Sequence, residues 1–158
     1  MRIHSSWKLF AVVLVLLVPV AVSAQDTGQS AEPSLYDRLG GLGPISVVVS
    51  DFIDAMVPDE ELNRNPAIAE ARKRVPAPYL TYHVTAMLCQ AAGGPCTYHG
   101  RGMPESHVHL NITEAEWNRM VTILEGVLAK HSVPAAETGE ILEIIGTTKA
   151  GIVMPAKE

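Results

Sequence analysis

The sequence predicts an all-α protein, and three observations carry the prediction. Apolar residues recur at spacings of three and four along segment after segment, Pro and Gly fall at the segment ends, and no stretch alternates apolar and polar residues as a half-buried strand does. The first 24 residues stand apart. Arg2 and Lys8 form a positive head, an uncharged apolar run follows from Leu9 to Val22, and Val22-Ser23-Ala24 is a small-residue cleavage signature before Gln25. This is the pattern of a secretory signal peptide; the run is short for a membrane span and lacks a charged stop-transfer flank. The expected organisation is a signal at 1–24, a polar tether at 25–33, one domain at 34–153 and a tail at 154–158. The expected location is outside the cytoplasm, in a periplasm, with membrane attachment only through an uncleaved signal.

Removing the signal leaves 134 of the 158 residues, the size of one domain with one core. Losing Arg2 and Lys8 takes the formal net charge from −5 to −7. That balance excludes nucleic acid and anionic lipid as expected partners. Arg72-Lys73-Arg74 is the one basic run, read as a solvated helix face. Export permits a disulfide between Cys89 and Cys96, and two small buried thiols are the alternative. No Cys-x-x-Cys-His is present, so the pattern for covalent c-type haem attachment is absent.

Ser34 caps a short helix through Leu39, which Gly40-Gly41 ends. Gly43-Pro44 opens a second helix with Ile45, Val48, Val49, Phe52 and Met56 on one face, stopped by Pro58; its three valines favour strand, but the longer period wins. A third runs from Asn65-Pro66 to the residues before Pro76. The fourth begins near Pro78 and ends at Gly93-Gly94-Pro95, with Leu80, Val84, Met87 and Ala91 as its apolar stripe. His83 borders that stripe. Pro104 starts a short helix that ends by Asn111, and Thr113-Glu114-Ala115-Glu116 is a capping box for a long helix to about Lys130 that buries Trp117, Met120, Val121, Leu124 and Leu128. A last helix spans Pro134 to about Val153.

Two histidines, His107 and His109, stand on the short helix. Met103, His107 and Leu110 share one stripe, whereas His109 is rotated by about 200° from His107. His107 therefore faces the core and His109 faces out. A lone core-facing histidine is more often hydrogen-bonded than metal-bound, but His83 supplies a second on another helix, with little polar company for either. Two imidazoles between apolar helix faces suit a flat, iron-bearing ligand such as haem. A His83 hydrogen-bonded to a carbonyl fits equally well, and the residues alone leave both open. Zinc held by the His-x-His pair is disfavoured, because the two rings diverge.

Six stretches, "LYDRLGG" (35–41), "DFIDAMV" (51–57), "AAGGP" (91–95), "YHGRGM" (98–103), "HVHLNIT" (107–113) and "VPAAETGEIL" (133–142), occur in the order and approximate spacing of the group I truncated haemoglobins. The chain resembles that family over residues 34 to about 153. The resemblance implies a two-over-two helical sandwich around noncovalent haem b and its iron, with a diatomic gas as ligand and an electron donor or acceptor as a further partner. The family's proximal histidine falls on His107, the residue that helical phase also selects. On the distal side the resemblance places Leu80, His83 and Val84 nearest the bound ligand. The tyrosine that usually follows the phenylalanine (here Phe52) is Ile53, and the frequent distal glutamine is Val84, so both usual donors are missing. Tyr79 and Tyr82 point elsewhere by helical phase. Some relatives carry a histidine at the place of His83 that closes on the iron, which implies a bis-histidyl His83 and His107 pair. Tyr98 and Arg101 are placed to reach a haem propionate, Met103 shares the stripe of His107, and Trp117 packs beneath the haem. The stretch from Asn63 to Ala77 is longer than the family norm and lacks its Phe-Phe pair.

The function implied is binding of oxygen or nitric oxide, electron transfer, or haem-based redox chemistry on nitric oxide or peroxide. Export disfavours steady turnover, because a cytosolic reductase cannot reach the iron. A haem-free exported helical module with an apolar groove is the rival reading, and a metal site from His99, His107 and His109 comes last.

Overall fold

The computed structural model describes residues 32–155. The expected signal peptide, residues 25–31 of the expected tether and residues 156–158 of the expected tail lie outside the described residues. Among the described residues eight α-helices follow in order: α1 Leu35–Arg38, α2 Leu42–Met56, α3 Glu60–Asn63, α4 Pro66–Arg74, α5 Ala77–Ala91, α6 Met103–His107, α7 Glu114–Lys130 and α8 Ala135–Thr148. Two 3-10 turns extend α6 and α8, at Val108–Leu110 and Lys149–Gly151. Among the described residues there is no strand, only one isolated parallel bridge between Ile112 and Val153. No described helix is long and apolar enough to cross a membrane.

Local signals explain most ends. Ser34 Oγ accepts from the Asp37 amide at 3.1 Å, and Thr113 and Glu116 form the expected reciprocal capping box. At the end of α5 the Gly93 amide donates to Gln90 and the Gly94 amide to Cys89, the paired bonds of a Schellman motif, with Gly93 at φ +84°. A Cβ on Gly94 would overlap the Tyr36 ring and the Cys89 carbonyl and sulfur. Cys89 and Cys96 form a disulfide with Cα atoms 5.8 Å apart, which resolves the alternative of two thiols. The Tyr36 amide donates to the Ala92 carbonyl at 2.8 Å, so the two Gly-Gly turns meet at one corner.

Helices α2 and α5 pack on each other, and α7 and α8 form the opposing pair, with α2 lying on α7. The fold is the two-over-two sandwich the sequence leads one to expect. Its core joins Ile45, Val49, Phe52 and Ile53 of α2, Leu88 of α5, Leu124, Val127 and Leu128 of α7 and Ile141 of α8. Polar ties hold the periphery: Arg119 of α7 reaches Asp59, the cap of α3, at 2.7 Å, and Lys130 and His131 both donate to Asp51 of α2.

Four details differ from expectation. Helix α3 is new; it is too short for apolar periodicity to register, and Asp59 caps it through the Leu62 amide. The last helix ends at Thr148, because the following turn brings Gly151 against Met103 and Pro104, where a Cβ would be crowded at 3.1–3.2 Å. On α5, Ala91 is exposed, and Leu88 and Cys89 are buried instead. The disulfide and the turn after it fix which side of that last turn packs inward. On α7, Val127 is buried, while Met120 and Val121 are half-buried.

Candidate functional site

The upper part of α5 is the first sign of a site. Leu80, Val84 and Met87 follow the predicted stripe, yet all three remain half-buried. They open onto a cavity of about 330 Å³ between α2, α4, α5, α6, α7 and α8. All ten residues singled out from the sequence line it: Phe52 and Ile53 on α2, Leu80, His83 and Val84 on α5, Tyr98 and Arg101 on the loop, Met103 and His107 on α6, and Trp117 on α7. The wall is otherwise mostly aliphatic, with Met56, Met120, Ile141 and Ile145 among its members.

His107 ends α6, where Pro104 in the first turn suits the helix start. Its Nδ1 lies 2.9 Å from the Met103 carbonyl oxygen. A carbonyl only accepts, so Nδ1 donates and the lone pair rests on Nε2. Burial pushes the His107 pKa below its ordinary value; the Met103 hydrogen bond opposes this, and nearby His109 reinforces it. The balance favours the neutral ring, the form a metal ligand requires. Asn111, at φ +52°, then turns the chain, and Asn65 Nδ2 donates to the Leu110 carbonyl at 2.9 Å, tying the start of α4 to this segment.

His83 is half-buried, and among the described residues its ring makes no hydrogen bond. It sits instead among three tyrosine rings, with centroids at 4.3 Å (Tyr79), 5.1 Å (Tyr82) and 5.9 Å (Tyr98). The reading in which a carbonyl holds His83 therefore loses its partner. Tyr98 is fixed in turn: its hydroxyl donates to the Arg101 carbonyl at 2.9 Å, and its amide donates to Gln90 Oε1 at 2.7 Å. Burial raises the Tyr98 pKa, with Tyr79 adding to the effect and Arg101 opposing it.

Three residues fall where the sequence did not put them. Tyr79, expected to point away, lines the cavity beside His83, because it occupies the first turn of α5, close to the end of α4. His109 is exposed as expected but reaches the rim of the cavity. After His107 the chain tightens to three residues per turn, so His109 turns by about 240° from it, not 200°. Arg72, expected on a solvated face with Lys73 and Arg74, enters the cavity wall, and its Nε is buried without a partner. Helical phase gives the signal in retrospect: Arg72 lies four residues after the buried Ile68, whereas Lys73 and Arg74 are exposed. No three His, Cys, Asp or Glu side chains converge among the described residues, so His99, His107 and His109 do not assemble a metal site.

Comparisons with known proteins agree with this fold. The bacterial-like globin family profile matches residues 34–153. A group 1 truncated hemoglobin of Mycolicibacterium paratuberculosis (strain ATCC BAA-968 / K-10) is 30% identical over 118 residues, covering 74% of this chain and 82% of that protein. One from Nostoc sp. (strain MUN 8820) is 28% identical over 120 residues, covering 76% and 97%. Among solved structures, the Fe(III) truncated hemoglobin of Tetrahymena pyriformis superposes with a TM-score of 0.68 at 23% identity, covering 78% of this chain and all of that one. The 2/2 hemoglobin of Synechococcus sp. PCC 7002, a cyanomet form with covalently attached heme, superposes with a TM-score of 0.61 at 23% identity, covering 77% and 98%.

Globins carry haem iron and bind diatomic gases, and the residues here fit that group. The cavity is mostly apolar, one imidazole is oriented by a carbonyl, a second has no hydrogen bond among the described residues, and Arg72 Nε is buried without a partner. With its 34–153 segment matched end to end, the chain belongs to the bacterial-like globin family, among the group 1 truncated haemoglobins.

Proposed function

We propose that this chain is an exported haem b globin in which His107 is the proximal ligand and His83 the sixth, binding oxygen or nitric oxide and exchanging electrons with a partner. The observation that carries the reading is that an Nδ1-anchored His107 and a His83 without a hydrogen bond among the described residues line one cavity. Bound iron supplies a gas-binding position and a one-electron couple. The chain's own residues do the rest. The Met103 carbonyl orients His107 and makes its Nε2 a better donor. Tyr79, Tyr82 and Tyr98 surround His83 with ring contacts that fix neither of its nitrogens, so both stay available to a ligand. Ile53 and Val84 bring no donor to the distal side, and the aliphatic wall excludes water. The absence of Cys-x-x-Cys-His favours noncovalent haem b.

Export rests on the first 24 residues, with their basic head, apolar run and Val22-Ser23-Ala24. A protein in that compartment lacks a cytosolic reductase, which favours gas binding or electron exchange over turnover. The deciding experiment is the absorption spectrum of haem-reconstituted protein, ferric and then dithionite-reduced. Sharp low-spin bands before any gas is added are expected. A chain that takes up no haem specifically would instead be a helical binding module.

A further inference from the structure

Arg72 is a cation placed where nothing in the described chain balances it. Its guanidinium has five N–H donors. Only one described hydrogen bond engages them, a long 3.4 Å contact from Nη2 to the Met56 carbonyl. Nε has no access to solvent and no partner. No described carboxylate pairs with it, although Lys73 next to it pairs with Glu70 at 3.0 Å. The side chain as a whole is half-buried, but an N–H buried without an acceptor is costly, and guanidinium does not escape that cost by losing its proton. The structure spends that cost on the wall of a cavity, beside Met56, Ile68 and Val75.

The helix that presents Arg72 is held in place. Asn65 caps α4 through the Ala67 amide at 2.9 Å and donates to the Leu110 carbonyl, three residues beyond His107. Helix α4 lies in the stretch that the sequence marks as longer than the family norm. A diatomic gas carries no full negative charge to set against this guanidinium. A carboxylate can, because the planar fork matches two carboxylate oxygens.

We propose that Arg72 clamps a carboxylate of the cofactor, so that α4 fastens one haem propionate from the side of the cavity. This rests on the haem reading above. Arg101 lines the same cavity but is exposed. Solvent already hydrates it, so its contribution to holding a propionate is smaller.

The test is the rate at which ferric protein gives up haem to excess apomyoglobin, measured for wild type, Arg72→Met and Arg72→Lys. Each is loaded either with natural haem or with haem dimethyl ester, whose propionates carry no charge. With natural haem, Arg72→Met should release about tenfold faster and Arg72→Lys should fall between, as expected for loss of a charge-assisted fork. With the ester, wild type and Arg72→Met should release at the same rate. An equal acceleration with both haems would mean that the side chain acts only by packing and through Met56, and would overturn the clamp. Unchanged haem release with weakened azide binding to the ferric iron would assign Arg72 to the iron-bound ligand instead. Wild type that takes up neither haem would overturn the haem reading itself, an outcome distinct from the other two.

Discussion

The Nδ1 atom of His107 lies 2.9 Å from the carbonyl oxygen of Met103, one helical turn earlier. That single contact fixes the tautomer, the ring orientation and the free lone pair at once. Replacing His107 by Gly removes the ligand and leaves a space the size of imidazole. The variant should lose the low-spin spectrum, and millimolar imidazole should restore it. A His107→Gly protein with the wild-type spectrum would remove His107 from the iron.

His83 makes the complementary prediction. Its neighbours Tyr79, Tyr82 and Tyr98 offer ring contacts at 4.3–5.9 Å, and none fixes either of its nitrogens. Leucine has a similar volume and cannot bind iron. His83→Leu should convert both oxidation states from low-spin to high-spin and speed gas binding, because no imidazole need be displaced. An unchanged visible spectrum in both states would leave His83 as a wall residue only.

Much of this was legible in the sequence, for reasons that particular residues make plain. His107 was readable because Met103, His107 and Leu110 keep helical phase over two turns, and the Thr113–Glu116 box was readable because a reciprocal cap is local chemistry. Much of the fold follows from such local signals, since most helix ends here carry a cap, a proline or a glycine of their own. Arg72 was not readable. Three consecutive cations look solvated until the packing of Ile68 shows which side of α4 turns inward. Tyr79 was missed for a related reason: phase within α5 was followed, but the approach of α4 to its first turn is tertiary. Helix α3 depends on Asp59, which also serves Arg119, 60 residues away.

The Cys89–Cys96 disulfide closes a loop with a sequence separation of 7 at the end of the helix that carries His83. By chain entropy such a loop is worth roughly 2 to 3 kcal/mol. Cys89→Ala with Cys96→Ala should therefore lower the thermal midpoint by about 10 °C in a domain of this size. Tyr98 lies two residues beyond Cys96 and packs edge-on to His83. Loosening the loop should thus also change the near-ultraviolet circular dichroism of the tyrosines. A thermal midpoint identical to that of wild type would show that the Gly93-Gly94 turn alone fixes this corner.

Asp59 joins two elements with its two oxygens. Oδ1 accepts from the Leu62 amide at 3.0 Å and so caps α3, while Oδ2 accepts from Arg119 Nη2 and Nε at 2.7 and 3.1 Å and ties α3 to α7. The Arg119 hydrogen bond is the main reason its carboxyl titrates below the usual carboxylate value. A group whose pKa is lower folded than unfolded contributes stability that is fully present above the unfolded value and is lost as pH falls through the folded one. Asp59→Asn keeps a capping side chain and removes the charge; Asp59→Ala removes both and should cost about 1 to 2 kcal/mol. The gap in urea midpoint between wild type and Asp59→Asn should stay constant above about pH 5 and close as the medium is acidified below about pH 4. If the gap persisted undiminished to about pH 2, amide geometry would be responsible and the ion pair would contribute nothing.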